Sequence, residues 1–292
     1  MTPRYDGPEL LRWEVPVGDP ALPLLRQRER LAGMLGDLDE AQWRAASRCD
    51  GWSVQDVIAH LVGTNQFWAL SIVCSRQGAP TRFLTTFDPV ATPEQMVEAV
   101  RGQPPAETLV QFVETNAAIA EALVSTSDAE WQAAAEGPLG HIPLCAVVAH
   151  ALWDSWIHER DIVMPLGLDP VHESDEVALC LSYAAALSPG FLAAGGSARI
   201  GAFEVDASHP EVRFVVEVGP TVTIRDGAGA DLDMRLTGDA VALVEGLSLR
   251  GPLVADVPPS GQWMFEGLAE AFDVSTTPDG YQVRPPWPLT GD

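Results

Sequence analysis

Four long stretches of the chain carry apolar residues at helical spacing. Over residues 23–38, Leu24, Leu25, Leu31, Met34 and Leu35 recur on one face and predict an amphipathic helix. A second helix opens at Ser53, a good N-cap, and Asp56 three residues later places a carboxylate near the positive helix end. Val54, Val57, Ile58, Leu61 and Val62 form its apolar face, and it runs towards Ile72 carrying His60. A third helix is expected over 106–124. A fourth starts near Leu144 and reaches Ile162, with Pro165 and Gly167 ending it. Residues 172–189, rich in alanine and leucine, predict one more. Between these, 37–51 reads as a connection containing Trp43, 77–103 as a looser segment and 137–143 as a break. Residues 1–20, rich in proline and glycine, read as an irregular arm.

The period changes after Gly195-Gly196. Residues 203–205, 212–218, 221–224 and 231–236 favour strands, with Gly219-Pro220 as a turn signal between two of them. Residues 239–249 then return to helical spacing, with Ala240, Leu243, Val244 and Leu247 on one side. The expected architecture is an all-α bundle over 21–192 followed by a small α+β domain over 198–292.

Composition removes several function classes. The 292 residues hold 41 acids against 17 bases, a formal charge of -24, and every base is arginine. Without lysine, neither a lysine Schiff base nor a P-loop is available. So acidic a surface repels nucleic acid and anionic lipid, so neither is an expected partner. There is no uninterrupted apolar run long enough to suggest a membrane span, and the first residues lack the apolar core of a secretory leader. The four cysteines, Cys49, Cys74, Cys145 and Cys180, form no C-x-x-C pair. A cytoplasmic location with reduced thiols buried as small hydrophobes is the expectation.

The stretch from His150 to Asp161 carries the candidate chemistry. At about 100° per residue, His150, Asp154, His158 and Asp161 fall within roughly 80° of one another, and Glu159 lies opposite. A carboxylate and a histidine four apart can point at a common atom, and a histidine from a neighbouring helix completes a three-ligand site. His60 is the natural third ligand. Such a set suits zinc, iron, nickel or manganese and leaves positions open for water or substrate. Spacing does not rank His150 below Asp154 as a ligand. A packed polar network without metal is the competing structural reading. His141, His172 and His209 lie beside prolines or acids in apparent loops and read as surface residues.

The run Ser47-Arg48-Cys49-Asp50-Gly51-Trp52-Ser53-Val54-Gln55-Asp56-Val57-Ile58-Ala59-His60-Leu61 resembles the N-terminal signature of mycothiol-dependent maleylpyruvate isomerase-like proteins, part of the DinB-like four-helix group. His150 to Asp161, followed by Pro165-Leu166-Gly167, is similar to that family's second signature, and the resemblance spans about residues 20–190. It implies a DinB-like bundle whose divalent metal, zinc first, is held by His60, Asp154 and His158, with aspartate at 154 where the family has glutamate. The C-terminal part resembles the sterol-carrier-like domain of these isomerases. Leu236 to Ala240 leading through Leu249-Arg250-Gly251 resembles its end and implies that Arg250 reaches the active site; a surface arginine capping a helix is the alternative.

The resemblance further implies mycothiol as co-substrate. Its thiolate would add to an electrophilic carbon of a small, carboxylate-bearing substrate, giving an isomerase if the adduct rotates and eliminates, or an S-transferase if it is released. Asp161 would orient His158, His150 would act as general base, and Arg250 would pair with a carboxylate. The rival readings are a thiol-independent hydrolase or lyase on the same fold and a non-catalytic ligand-binding protein, either as monomer or homodimer.

Overall fold

The computed structural model describes residues 3–15, 18–227 and 232–272. The chain begins with strand β1 (Leu11–Trp13), then helices α1 (Ala21–Gly36), α2 (Glu40–Trp43), α3 (Val54–Arg76), α4 (Ala91–Glu98), α5 (Pro105–Leu123) and α6 (Asp128–Trp131). A hairpin of β2 (Ala134–Gly137) and β3 (Gly140–Pro143) leads into α7 (Leu144–Val163) and α8 (Ser174–Ala194). Strands β4 (Gly201–Ser208), β5 (Val212–Val218), β6 (Val222–Arg225) and β7 (Met234–Asp239) follow, then α9 (Ala240–Leu247) and α10 (Glu266–Ala271).

Helices α1, α3, α5 and α7 pack on one another as a four-helix bundle. The sheet has order β1-β6-β5-β4-β7, with β4, β5 and β6 antiparallel and parallel pairs at both edges. Helix α8 is the layer between the two halves, touching α7 on one side and α9, α10 and the sheet on the other. Its apolar window and that of α3 are long and hydrophobic enough to cross a membrane by length and composition, but 83% of the α8 window is buried inside the fold. The main core is continuous, running from Trp68 and Leu152 through Leu181 to Val216 and Leu243. A smaller cluster, including Leu35, Trp43, Ile58, Phe112 and Ile162, fills the other end of the bundle.

Several local expectations need correction. The arm expected to be irregular contains β1, which pairs parallel with β6 and buries Leu11 and Trp13 against the sheet. Its two apolar residues gain more from covering a sheet edge than from remaining in solvent. The break at 137–143 is the second half of a hairpin. There Gly140, at φ +116°, lies so close to the arm that a Cβ would stand 2.0 Å from the Arg4 carbonyl oxygen. The looser segment contains a 3₁₀ turn (Phe83–Thr86) and α4. His141 is half-buried on β3, with Nε2 2.8 Å from the Thr81 carbonyl oxygen, so it is not a surface loop residue. The end of the expected C-terminal domain, 273–292, and Asp231 of the expected strand lie outside the described residues.

Candidate metal centre

The site is assembled by the start of α3 and the middle of α7. Gly51, at φ +73°, turns the chain so that Ser53 can cap α3. Ser53 accepts from the Asp56 amide while the Asp56 carboxylate accepts from the Ser53 amide, a reciprocal capping box. This places His60 two turns into the helix, under Trp52, whose ring centroid is 5.4 Å from that of His60. From α7, Asp154 and His158 face it one turn apart.

His60 Nε2 lies 3.7 Å and His158 Nε2 3.6 Å from the same oxygen, Asp154 Oδ1. Those separations are too long for hydrogen bonds. They are close to the spacing of two ligands on one tetrahedral ion, about 3.4 Å for bonds of about 2.1 Å. One ligand atom from each residue lies within 4.8 Å of the others. Asp154 Oδ2, the second oxygen of the shared carboxylate, is buried with no hydrogen-bond partner; His60 Nδ1 is also unmatched, but it is not the nitrogen that faces Asp154. Buried polar atoms are rarely left unmatched, so the donor set fits a divalent cation chemically and geometrically. The shorter aspartate at 154 still reaches both imidazoles.

Around this trio the groups are fixed from outside. His158 Nδ1 is 3.0 Å from Asp161 Oδ2, so its other nitrogen faces Asp154. Asp161 is fully buried and accepts from Arg48 Nε at 2.9 Å and from Arg250 Nε and Nη2 at 2.9–3.1 Å. Burial would raise its pKa, but the Arg250 charge, the His158 contact and Arg48 outweigh that and hold it far below the usual carboxylate range. Asp154 shows the same balance: burial pushes it up, while His60 and the neighbouring imidazoles pull it well below its ordinary value. Burial lowers the pKa of His158 more than its two carboxylate neighbours raise it.

His150 lines the same cavity but stands apart from the trio, with Nδ1 2.5 Å from the Tyr183 hydroxyl. Burial lowers its pKa to about 4, which leaves the ring neutral near pH 7. Arg250 also lines the cavity, and its side chain is only 16% exposed, unlike a surface helix cap. His172 and His209 are exposed, and neither lines the cavity. Glu159 points away from the site to Arg30 at 2.9 Å.

Three participants were not legible in the sequence. Cys49 is not an inert buried thiol: it donates to Asp161 Oδ2 at 3.2 Å and sits 3.6 Å from His158 Nδ1. Burial and the Asp161 charge push its pKa up, keeping it a protonated donor. Arg48 bridges Asp161 to Glu245 of α9, and Glu245 also pairs with Arg160 of α7. The signal for both Arg48 and Cys49 was a charged residue and a thiol immediately before the capping turn; Glu245 offered none beyond its place on a helix.

The trio opens into a cavity of about 550 Å³, within the size range of sites for drug-sized molecules. Its roof comes from residues 84–96, where Trp52 Nε1 donates to Glu94 at 2.7 Å.

Comparison with known proteins bears on this arrangement. Residues 24–163 match the family model for the mycothiol maleylpyruvate isomerase N-terminal domain. Among solved structures, the crystal structure of the mycothiol-dependent maleylpyruvate isomerase is similar to this chain at 14% identity and a TM-score of 0.57, covering 85% of this chain and 94% of that one. A histidine-to-alanine mutant of that isomerase is similar at 15% identity with the same TM-score and coverage. At such identities the likeness establishes the fold. No curated protein matches the chain.

Proposed function

From the match of residues 24–163 to the mycothiol maleylpyruvate isomerase N-terminal domain, we propose that the chain is a metal-dependent isomerase or S-transferase that uses mycothiol against an electrophilic, carboxylate-bearing substrate. The observation that carries this reading is the convergence of His60 Nε2, His158 Nε2 and Asp154 Oδ1, with the second Asp154 oxygen buried and unmatched, at the floor of a ligand-sized cavity. His60, Asp154 and His158 would hold the ion, zinc by the two imidazoles and one carboxylate. When bound, the ion would favour the thiolate over the thiol and so supply the nucleophile at neutral pH.

The remaining roles fall to this chain's own residues. Asp161 fixes the tautomer and direction of His158. Arg48 and Arg250 keep Asp161 ionised, so that it accepts rather than donates. His150 is neutral at the cavity wall, where Tyr183 fixes one ring nitrogen and the ring is left as a hydrogen-bonding group for substrate. Arg250, at the cavity surface, orients a substrate carboxylate while it remains bound to Asp161. In the isomerisation the sulfur bonds to one alkene carbon and the π pair moves to the conjugated carbonyl oxygen. Rotation about the new single bond and expulsion of the thiolate then restore the alkene, with no net change in atoms.

A thiol-independent hydrolase or lyase on the same bundle is the second reading. It is favoured by the sparse polar lining of the cavity, where a hydroxyl-rich thiol finds few partners. Assaying the zinc-loaded protein with a panel of unsaturated keto acids, aryl-substituted monocarboxylates as well as maleylpyruvate, with and without mycothiol, separates the two. The first reading expects turnover only with the thiol and its loss on chelation. Turnover undiminished without thiol overturns it in favour of the second.

A further inference from the structure

The walls above the three ligands are carbon. Phe67, Trp68, Phe87, Trp153 and Phe191 line the cavity together with aliphatic side chains. The polar edges of two lining indoles are already used, Trp153 Nε1 on Ser248 and Trp52 Nε1 on Glu94, each at 2.7 Å. In the proposed function the thiol takes the open position of the metal that His60, Asp154 and His158 would hold, which leaves Arg250 as the sole cation for the second substrate among the described lining residues, against the acids Asp50 and Glu94. Its guanidinium makes three hydrogen bonds to Asp161, so much of its charge is matched within the protein. A ligand with one carboxylate can share Arg250. A second carboxylate on the same molecule would lie against aromatic carbon or near like charge, where a desolvated anion is costly.

We infer that the second substrate is a hydrophobic, ring-bearing molecule with a single carboxylate or conjugated carbonyl at its reactive end, and not a short-chain diacid. This rests on reading the cavity as the electrophile's site. The apolar body lies among the aromatic side chains, and the reactive end is directed towards Asp154, the two ligand histidines and Arg250. Specificity comes from buried apolar area, and orientation from the few polar groups on the floor.

A matched pair of unsaturated acids tests this. Cinnamate carries a phenyl ring where fumarate carries a second carboxylate. Their binding to the zinc-reconstituted full chain is measured by isothermal titration calorimetry without thiol, with imidazole added to fill the open zinc position, alongside Phe87→Arg. Phe87 is half-buried in the cavity roof, outside the bundle core, so the variant is expected to fold. The inference expects cinnamate to bind at least about tenfold more tightly than fumarate, and Phe87→Arg to shrink that ratio at least about tenfold. Fumarate binding as tightly as cinnamate, cinnamate binding unaffected by Phe87→Arg, or no measurable cinnamate binding overturns it. Mycothiol addition is scored separately on the same samples. A hydrophobic preference without thiol addition upholds the substrate class and counts against the thiol reading alone.

Discussion

His158 shows how one side chain is specified from two sides. One ring nitrogen faces Asp154 and the other is tied to Asp161, which is itself pinned by Arg48 and Arg250. Replacing Asp161 with asparagine would leave two arginines facing a neutral amide and loosen the imidazole. Zinc affinity, read by competition with a chromogenic chelator, is expected to fall about 10- to 100-fold. His150 makes a different prediction. Its pKa is lowered to about 4 from an ordinary 6.5, so the unfolded chain binds a proton that the folded chain refuses as pH falls between those values. Its contribution to stability is therefore full above about pH 6.5 and is lost as pH drops towards about 4. In chelator-treated protein, His150→Gln should flatten the decline in Tm over that window; an unchanged slope would contradict the assignment. At this scale His60, Asp154 and His158 were legible because a helix face and a capped helix start constrain them. Cys49 and Arg48 were not, because they lie on a turn without periodicity, and their partner Asp161 is 112 and 113 residues away.

The elements were legible where apolar residues persist at helical spacing over a long run. Helices α1, α3, α5, α7 and α8 fall within a few residues of their sequence-based bounds because each keeps that spacing over 16 or more residues, α1 and α5 with one buried face and α7 and α8 buried on nearly every face. The β2–β3 hairpin and β1 were missed because strands of three or four residues show too little alternation, and β1 acquires its partner, β6, only through tertiary pairing. Two substitutions test what holds these elements in place. Ser53→Ala removes the side-chain half of the α3 capping box, the bond from the Asp56 amide to Ser53 Oγ, and leaves the Ser53 amide on the Asp56 carboxylate; it should cost about 1 kcal/mol, seen as a lower denaturant midpoint with unchanged m. Gly140→Ala forces a Cβ into the Arg4 carbonyl at a positive φ and should cost at least about 2 kcal/mol by the same measurement. A negligible loss there would mean that the arm is not anchored on the hairpin.

Across the whole molecule, the bundle and the sheet domain meet around the candidate site. Glu245 on α9 pairs with Arg48 of the α3 entry loop and with Arg160 of α7, and Arg250, just beyond α9, pairs with Asp161. The C-terminal half thus supplies charges that set the electrostatics of a site whose three candidate ligands all lie in the bundle. The sequence conveyed the division between helical and strand-rich halves through the change of period. It did not convey α8 as a shared layer or the ionic link through Glu245, because both depend on distances between remote segments. The resemblance in the two signatures pointed to the site's location, and the folded chain brings His60, Asp154 and His158 together at that place.

The central claim is that these three residues hold a divalent metal. Elemental analysis of the purified protein, with His60→Ala and His158→Ala in parallel and folding verified by circular dichroism, tests it most directly. The account predicts near-stoichiometric metal in the unmodified chain and a sharp fall in both folded variants. No metal in the unmodified chain, even after reconstitution with zinc, iron, nickel and manganese, would contradict it and leave a bare polar pocket suited to acid–base chemistry or ligand binding alone.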